Sequence, residues 1–344
     1  NILLEHITVK ENEGLNIQNV NGFTLRNSDI IDIVRNHPID NDVVWNAHLN
    51  RASGAYIANT LGILFEENMF DRVGWKEGYD PNLSSKSPQP PSMYSHNLYI
   101  QSDNLDVTVR DNIFMRGASF GAQIRSGGMV ENNSFIDNNA AVNFAGGIDA
   151  NSARKGNYTL FLDNLITSAG HKRVSHSEGA LSMGVDGGSS TLTSYIGNIV
   201  AHLADPNNPA EKVKKDVVHG AFSPGTNPYH DDTIVYNWGA DGKPWANNPN
   251  RGINGADTAV LDQTTIQNFT AQLLGKKTAT IADLANHLRA QAAGKLDHVV
   301  DADLINEFFR KGFGLDTELR ATETTLRFIP DDRGEGMRWD NRLN

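Results

Sequence analysis

Six side chains between residues 96 and 145 are of types that could do chemistry on an anionic, hydroxyl-rich ligand: His96, Tyr99, Gln101, Gln123, Arg125 and Asn143. A guanidinium such as Arg125, helped by the carboxamide of Gln123 or Asn143, can stabilise charge that builds on a carboxylate. His96 and Tyr99 can each take or give a proton. Together these groups meet the three needs of an elimination beside a carboxylate: a charge stabiliser, a base for the carbon-bound proton and an acid for the leaving oxygen. The order in which His96 and Tyr99 serve as base and acid stays open.

The spacing of these residues decides whether they can meet. The phrase VRDNIF ends in Asn112-Ile113-Phe114, and VENNSF ends in Asn133-Ser134-Phe135, 21 residues later. Each is preceded by a short strand phrase, Leu98–Ser102 and Ala122–Ser126. The Asn phrase returns as FEENMF with Asn68, FLDNLI with Asn164 and YIGNIV with Asn198. We also align LRNSDI through Asn27, IVYNWG through Asn237 and LEHITV with His6 in the Asn slot. Apolar and polar residues alternate within each copy, the period of a half-buried strand. Uneven spacing suits a coil of about 20 residues carrying inserted loops. An Asn at one fixed point predicts a bend, with its side chain bonding backbone and tolerating left-handed geometry, repeated as a ladder through stacked coils.

Side chains two apart on a strand share a face. With Ile100, Ile124 and Phe144 pointing inward, Tyr99, Gln123 and Asn143 form one outward column. Gln101, Arg125 and Ala145 form the next. Adjacent strands lie about 4.8 Å apart, so these positions would span one or two sugar rings as a shallow, donor-rich surface.

The repeat resembles the right-handed parallel β-helix of the pectate-lyase-like superfamily of carbohydrate-active proteins. The resemblance rests on the Asn phrase and on the strand phrases LNIQN, AYIAN, LYIQS, AQIRS, VNFAG and LSMGV. It implies an all-β solenoid over residues 1–240; beyond it, Gly-, Asn- and Pro-rich composition reads as a linker over 241–262, and residues 263–344 read as a helical C-terminal region with an irregular tail. It also implies a polysaccharide substrate, with lyase chemistry on a uronic acid favoured by Arg125, His96 and Tyr99. Some members of the superfamily use Ca²⁺; here no metal ligand set is assigned, and Ca²⁺ stays open as a cofactor.

Composition narrows the partners. With 30 Lys and Arg against 41 Asp and Glu, the net charge of −11 argues against a nucleic-acid partner, which needs a basic footprint. A local basic groove on an acidic body still suits an anionic polymer. There is no Cys, so no disulfide or thiolate metal site. No run of 18 apolar residues exists, and no membrane partner is expected. The chain opens at Asn1 straight into a strand phrase, read as a mature or truncated product, and a secreted or periplasmic setting is expected.

Loops on a rigid scaffold tend to carry function. The Pro-rich insertion 71–95 offers Trp75 and Tyr94 for stacking on sugar faces, or for pinning the loop. Residues 167–180 offer Lys172, Arg173 and His176 as further substrate contacts, or as a solvated basic turn. Beyond the linker the pattern turns helical. Ile266, Phe269, Leu273 and Leu274 precede Gly275; Thr280 and Asp283 resemble a capping box before Ile281, Leu284, Ala285 and Leu288; Asp301 precedes Leu304, Ile305, Phe308 and Phe309. This region reads as a cap or as a contact surface for oligomers.

Three other functions use the same fold. A glycoside hydrolase needs two carboxylates about 5–9 Å apart. Asp103, Asp149, Glu178 and Asp186 are available, and none is expected in the outward columns. A C5-epimerase would use nearly the same groups as a lyase. A binding or adhesion module would spread aromatics along a flat face without an acid–base pair.

Overall fold

The chain folds as a right-handed parallel β-helix with a small helical layer near its C-terminus, as seen in a computed structural model. The structure describes residues 1–11, 13–33, 52–75, 94–138, 140–144, 158–167, 183–187, 192–202, 222–225, 228–237, 263–296, 300–315, 329–330 and 337–338.

Each turn of the solenoid visits three sheets in the same order. Sheet 1 holds Ile2–Glu5, Asn21–Arg26, Leu61–Glu66, Leu105–Arg110, Gly128–Glu131, Thr159–Leu162, Thr193–Ile196 and Tyr229–Asp231. Sheet 2 runs from Thr8–Lys10 through Met69–Asp71, Ile113–Met115 and Ser134–Ile136 to Ile234–Asn237. Sheet 3 holds Leu15–Gln18, Ala55–Ala58, Leu98–Ile100, Phe120–Ile124, Ala140–Asn143, Met183–Asp186 and Phe222–Ser223. All three are parallel throughout, and the described residues of all six strand phrases read from the sequence lie in or directly after sheet 3 strands.

Inward side chains fill the bore. Phe70 stacks on Phe114 at 4.9 Å, Phe114 on Phe135 at 5.1 Å, and Phe135 leans on Phe161 at 6.4 Å. The 21-residue offset of VRDNIF and VENNSF sets this stack, because it places Phe114 directly opposite Phe135 in sheet 2.

The corner between sheets 1 and 2 carries the expected ladder. The Oδ1 of Asn68, Asn112, Asn133, Asn164 and Asn198 each accepts from the backbone N–H at the same position one coil earlier, at 2.9–3.1 Å. Each Nδ2 also donates to a carbonyl of the preceding coil: Leu25, Phe65, Val109, Val130 and Phe161. Buried polar groups must be paired, and this ladder pairs the backbone that the bend removes from the sheets.

Three alignments are corrected by register. The ladder position in the early coils is Ile7 and then Ser28, and in the last coil Thr233, not His6, Asn27 or Asn237. His6 and Asn27 stand one residue earlier, and Asn237 is the end of a sheet 2 strand. The left-handed geometry also belongs to that earlier residue. His6, Asn27, Glu67, Asp111, Asn132, Asp163, Gly197 and Asp232 have φ between 46° and 65°. Asn, Asp and Gly dominate there because they tolerate positive φ, while the ladder Asn is chosen for its amide.

From the strand Met69–Asp71 through Leu165–Thr167, sheet 2 is buried on both faces. Its outer residues Met69, Ile113, Met115, Leu165, Ile199 and Tyr236 pack against the helical layer. That layer comprises α1 (Ile266–Leu274), α2 (Ile281–Ala292) and α3 (Ala302–Gly312). The sequence signals for these helices hold: Gly275 closes α1 at φ 61°, Thr280 and Asp283 form a reciprocal capping box, and Asp301 caps α3. Helices this short draw their stability from packing, here Leu284, Ala285, Leu288, Ile305 and Phe309 against the sheet. The layer lies along the flank of the solenoid. Ion pairs fix it: Arg289 bonds Asp32 and the fully buried Asp71, and Arg310 bonds Asp163 at 2.8 Å.

Candidate functional site

Sheet 3 brings the predicted column together in the expected register. Tyr99 pairs with Gln123, and Gln123 with Asn143. Ile100 and Ile124 point into the bore, fully buried. Parallel pairing and period-two alternation are enough to place the three polar side chains side by side.

The groups form two hydrogen-bonded sets side by side, one around Arg125 and one running from Gln123 to Asp186. Arg125 Nη1 donates to the Tyr99 phenol oxygen at 3.2 Å and to Gln101 Oε1 at 2.9 Å. Gln101 Nε2 donates to the Tyr56 oxygen at 3.3 Å. Gln123 Nε2 donates to Asn143 Oδ1 at 2.9 Å. Asn143 Nδ2 in turn donates to Asp186 Oδ2 at 2.5 Å.

Asp186 is a correction to the sequence reading, which kept every carboxylate out of the columns. It pairs with Asn143 in register, so an acid stands two strands from Gln123. Aligning Val185-Asp186 with Val142-Asn143 is the signal that would have found it. Tyr56 was also missed as a site residue. It pairs with Tyr99, their rings meet edge-on at 5.4 Å, and the phrase Ala55-Tyr56-Ile57 repeats Leu98-Tyr99-Ile100.

The site is more enclosed than a shallow surface. Tyr99 and Asn143 are only 7% and 3% exposed on an outward face, while Gln101, Gln123 and Arg125 stay half-buried. His96 lies deeper. It is 2% exposed, with its ring edge-on to Tyr99 at 5.0 Å and tilted against Phe120 at 5.6 Å. His96 leads directly into the strand Leu98–Ile100, its carbonyl accepts from Gly54 N at 3.0 Å, and neighbouring coils close over its ring. It therefore borders the Tyr99 ring from within the fold.

Of the loop residues, Trp75 is pinned to the solenoid, donating from Nε1 to the Arg116 carbonyl at 2.6 Å. Tyr94 is half-buried. Lys172, Arg173 and His176 lie outside the described residues, as do Asp149 and Glu178.

Ca²⁺ takes six to eight oxygen ligands, several of them carboxylates. Among the described residues no three His, Asp or Glu side chains gather as a metal site, and the column offers the single carboxylate of Asp186. These residues do not fit a Ca²⁺ centre, so no chemical step is routed through one.

Compared with protein-family models, with curated proteins and with solved structures, the chain finds no match in any of the three.

Proposed function

We propose that the protein is a polysaccharide lyase that cleaves an acidic glycan by β-elimination on the outer face of sheet 3, in a secreted or periplasmic setting. The reading includes kinship with the pectate-lyase-like superfamily, supported by the repeat and by the three parallel sheets. The observation that carries it is the Arg125–Tyr99 contact, a guanidinium donating to a phenol oxygen on a face that also carries Gln101, Gln123 and Asn143.

Arg125 would face the uronate carboxylate and stabilise the negative charge that develops as the C5 proton leaves. Tyr99 is the proton-exchanging group nearest to it. The C5 proton passes to the Tyr99 oxygen, the C4–O bond breaks as a C4–C5 double bond forms, and the leaving oxygen takes that proton back from Tyr99. Gln101, Gln123 and Asn143 would hold hydroxyls. His96, packed on the Tyr99 ring, positions that phenol.

A hydrolase is the second reading, and Asp186 favours it by bringing a carboxylate into the column. The test is to mix the full chain with a panel of uronic-acid polymers and follow the ultraviolet absorbance of an unsaturated product, with and without chelator. Arg125→Ala should reduce the rate by about 10²–10³-fold, and Tyr99→Phe by about 10²–10⁴-fold. Reducing ends released without that absorbance, and lost in Asp186→Asn, would replace the lyase with the hydrolase. No product from the panel would remove both.

A further inference from the structure

The outer face of sheet 1 changes character along the solenoid. Side chains that alternate with the buried Phe65, Val109, Val130, Phe161 and Tyr195 point outward. In the early coils one outward column is an alternating charge ladder of Glu5, Arg26, Glu66, Arg110 and Glu131, each opposite the next in register. Arg26 Nε donates to Glu5 at 2.6 Å and Arg110 Nε to Glu66 at 2.7 Å. Charged side chains are what a sheet face in water carries. One coil later the same column turns apolar, with Leu162 and then Ile196, before Asp231. The column beside it runs Met129, Leu160, Ser194 and Tyr229.

Met129, Leu160, Leu162 and Ile196 belong to neither apolar cluster of the described residues, unlike the outer residues of sheet 2 that the helical layer covers. Around them Tyr158 and Tyr229 are each 57% exposed and Leu192 is 66% exposed. Apolar side chains scattered singly mean little, but a contiguous group marks a contact site. Its size decides the kind of partner. From the strand Gly128–Glu131 to Tyr229–Asp231 at about 4.8 Å per strand, and over residues 158–162 at about 3.3 Å per residue, it covers roughly 200–300 Å². Each side of a stable protein interface buries about 800 Å². Its charge narrows the choice further. Glu131 and Asp231 flank it, and beyond Arg110 these two columns hold no Lys or Arg. A second copy would set this acidic rim against itself, and a polyanion would be repelled.

We propose that this platform on sheet 1 binds an uncharged polysaccharide, with Tyr158 and Tyr229 stacking on the C–H faces of its sugar rings. Tyr offers a large, rigid, amphipathic face at little cost in side-chain entropy. Register gives the spacing. Tyr229 stands opposite Ser194, Ser194 opposite Leu160, and Tyr158 two residues before Leu160. Two strand spacings and two residue rises put the tyrosines about 12 Å apart, near the length of two sugar units in an extended chain. By register Leu160 and Leu192 lie between them, an apolar floor for the polymer. The carboxylates of Glu131 and Asp231 at the rim can accept from sugar hydroxyls. Binding here is independent of any chemistry on sheet 3.

The experiment is calorimetric titration of the full chain with cellohexaose, xylohexaose and mannohexaose, and with an oligogalacturonate as the charged counterpart. At least one neutral oligomer should bind, more tightly than the oligogalacturonate does at this face. Tyr158→Ala and Tyr229→Ala should each weaken that binding about fivefold or more. Both rings are exposed, so neither change should shift the urea midpoint; Leu192→Asp, on the same face, should weaken binding without removing a ring. Arg125→Ala should leave it unchanged. Failure of every neutral oligomer to bind overturns the proposal, as does binding kept by the double tyrosine variant or lost in Arg125→Ala instead. Sedimentation of the free chain supplies the other arm: a concentration-dependent dimer abolished by both tyrosine variants would give the face to a second copy and overturn the glycan.

Discussion

Replacing Asn133 with Ala tests what holds the coils in register. The side chain is fully buried at the centre of the ladder. Its Oδ1 accepts from the Asn112 backbone N–H at 3.0 Å, and its Nδ2 donates to the carbonyls of Val109 at 2.9 Å and Glu131 at 3.0 Å. Truncation leaves the Asn112 N–H without that acceptor, in a place water does not reach, and strips a donor from two carbonyls. Each orphaned buried group costs about 1–3 kcal/mol, so the loss should be about 3–5 kcal/mol. Asn27→Ala is the control. Asn27 is exposed at a left-handed corner with φ 47°, and only that backbone preference, about 1 kcal/mol, is lost. Asn133→Asp separates hydrogen bonding from shape. It keeps the volume but turns a donor into a carboxylate facing two carbonyls, so it should cost at least as much as Ala. The measurement is the urea midpoint multiplied by the m-value. The reasoning fails if Asn133→Ala costs no more than Asn27→Ala, or if Asn133→Asp is neutral.

Two further outcomes follow from the ion pairs and caps. Asp71 has a fully buried carboxylate bonded by Arg116 at 2.6–2.7 Å and by Arg289. Asp71→Asn leaves two guanidiniums facing each other and should lower stability by about 3–5 kcal/mol in the same denaturation experiment. The Asp283 carboxyl, bonded by Lys276 and then by the Thr280 hydroxyl and backbone, is held down to about 2. Its support for the α2 start is present above the ordinary carboxylate pKa near 4 and is lost as pH falls through about 2. Exchange protection of the first α2 turn should therefore drop at that acid edge, and Asp283→Asn should remove the drop.

The solenoid was legible because two periodicities are written into it at once. The alternation in Leu98-Tyr99-Ile100 and Ala122-Gln123-Ile124 gave sheet 3 its register, and the structure pairs those strands residue for residue. The helix caps were legible because they are local chemistry: Gly275, Thr280, Asp283 and Asp301 act within a few residues of themselves. What failed was the choice between adjacent residues at a corner, the phase after a long insertion, and burial by distant neighbours. Asn27 and Asn132 look like ladder residues by type, yet left-handed corners also recruit Asn, so residue type alone could not separate two adjacent uses of one side chain. Asp186 was missed because its coil follows a long insertion, which hides the repeat phase. The depth of His96 was invisible for a different reason: burial is set by neighbours such as Phe120, 24 residues away in sequence but 5.6 Å away ring to ring.

The helical layer also changes what kind of object the solenoid is. A bare stack of coils has only nearest-neighbour contacts, so its stability is close to a sum over adjacent pairs. Here Arg289 of α2 grips Asp32, just past a sheet 2 strand, and Asp71, at the end of the sheet 2 strand of the next coil. Asn306 and Arg310 of α3 reach Asn132, Ser134, Asp163 and the Gly197 carbonyl, which belong to three successive later coils. Because α2 and α3 share one apolar cluster with the outer face of sheet 2, these two sets of contacts are joined through packed side chains. Early and late coils are thereby linked without passing through every coil between them. The candidate site in sheet 3 sits on the coils so bridged, Tyr99 and Gln123 toward the middle and Asp186 two coils on. Within the column the spacing is set by direct strand pairing, Tyr99 on Gln123 and Gln123 on Asn143, so the helical layer bears on the coils that carry the site while sheet 3 itself sets the distances within it.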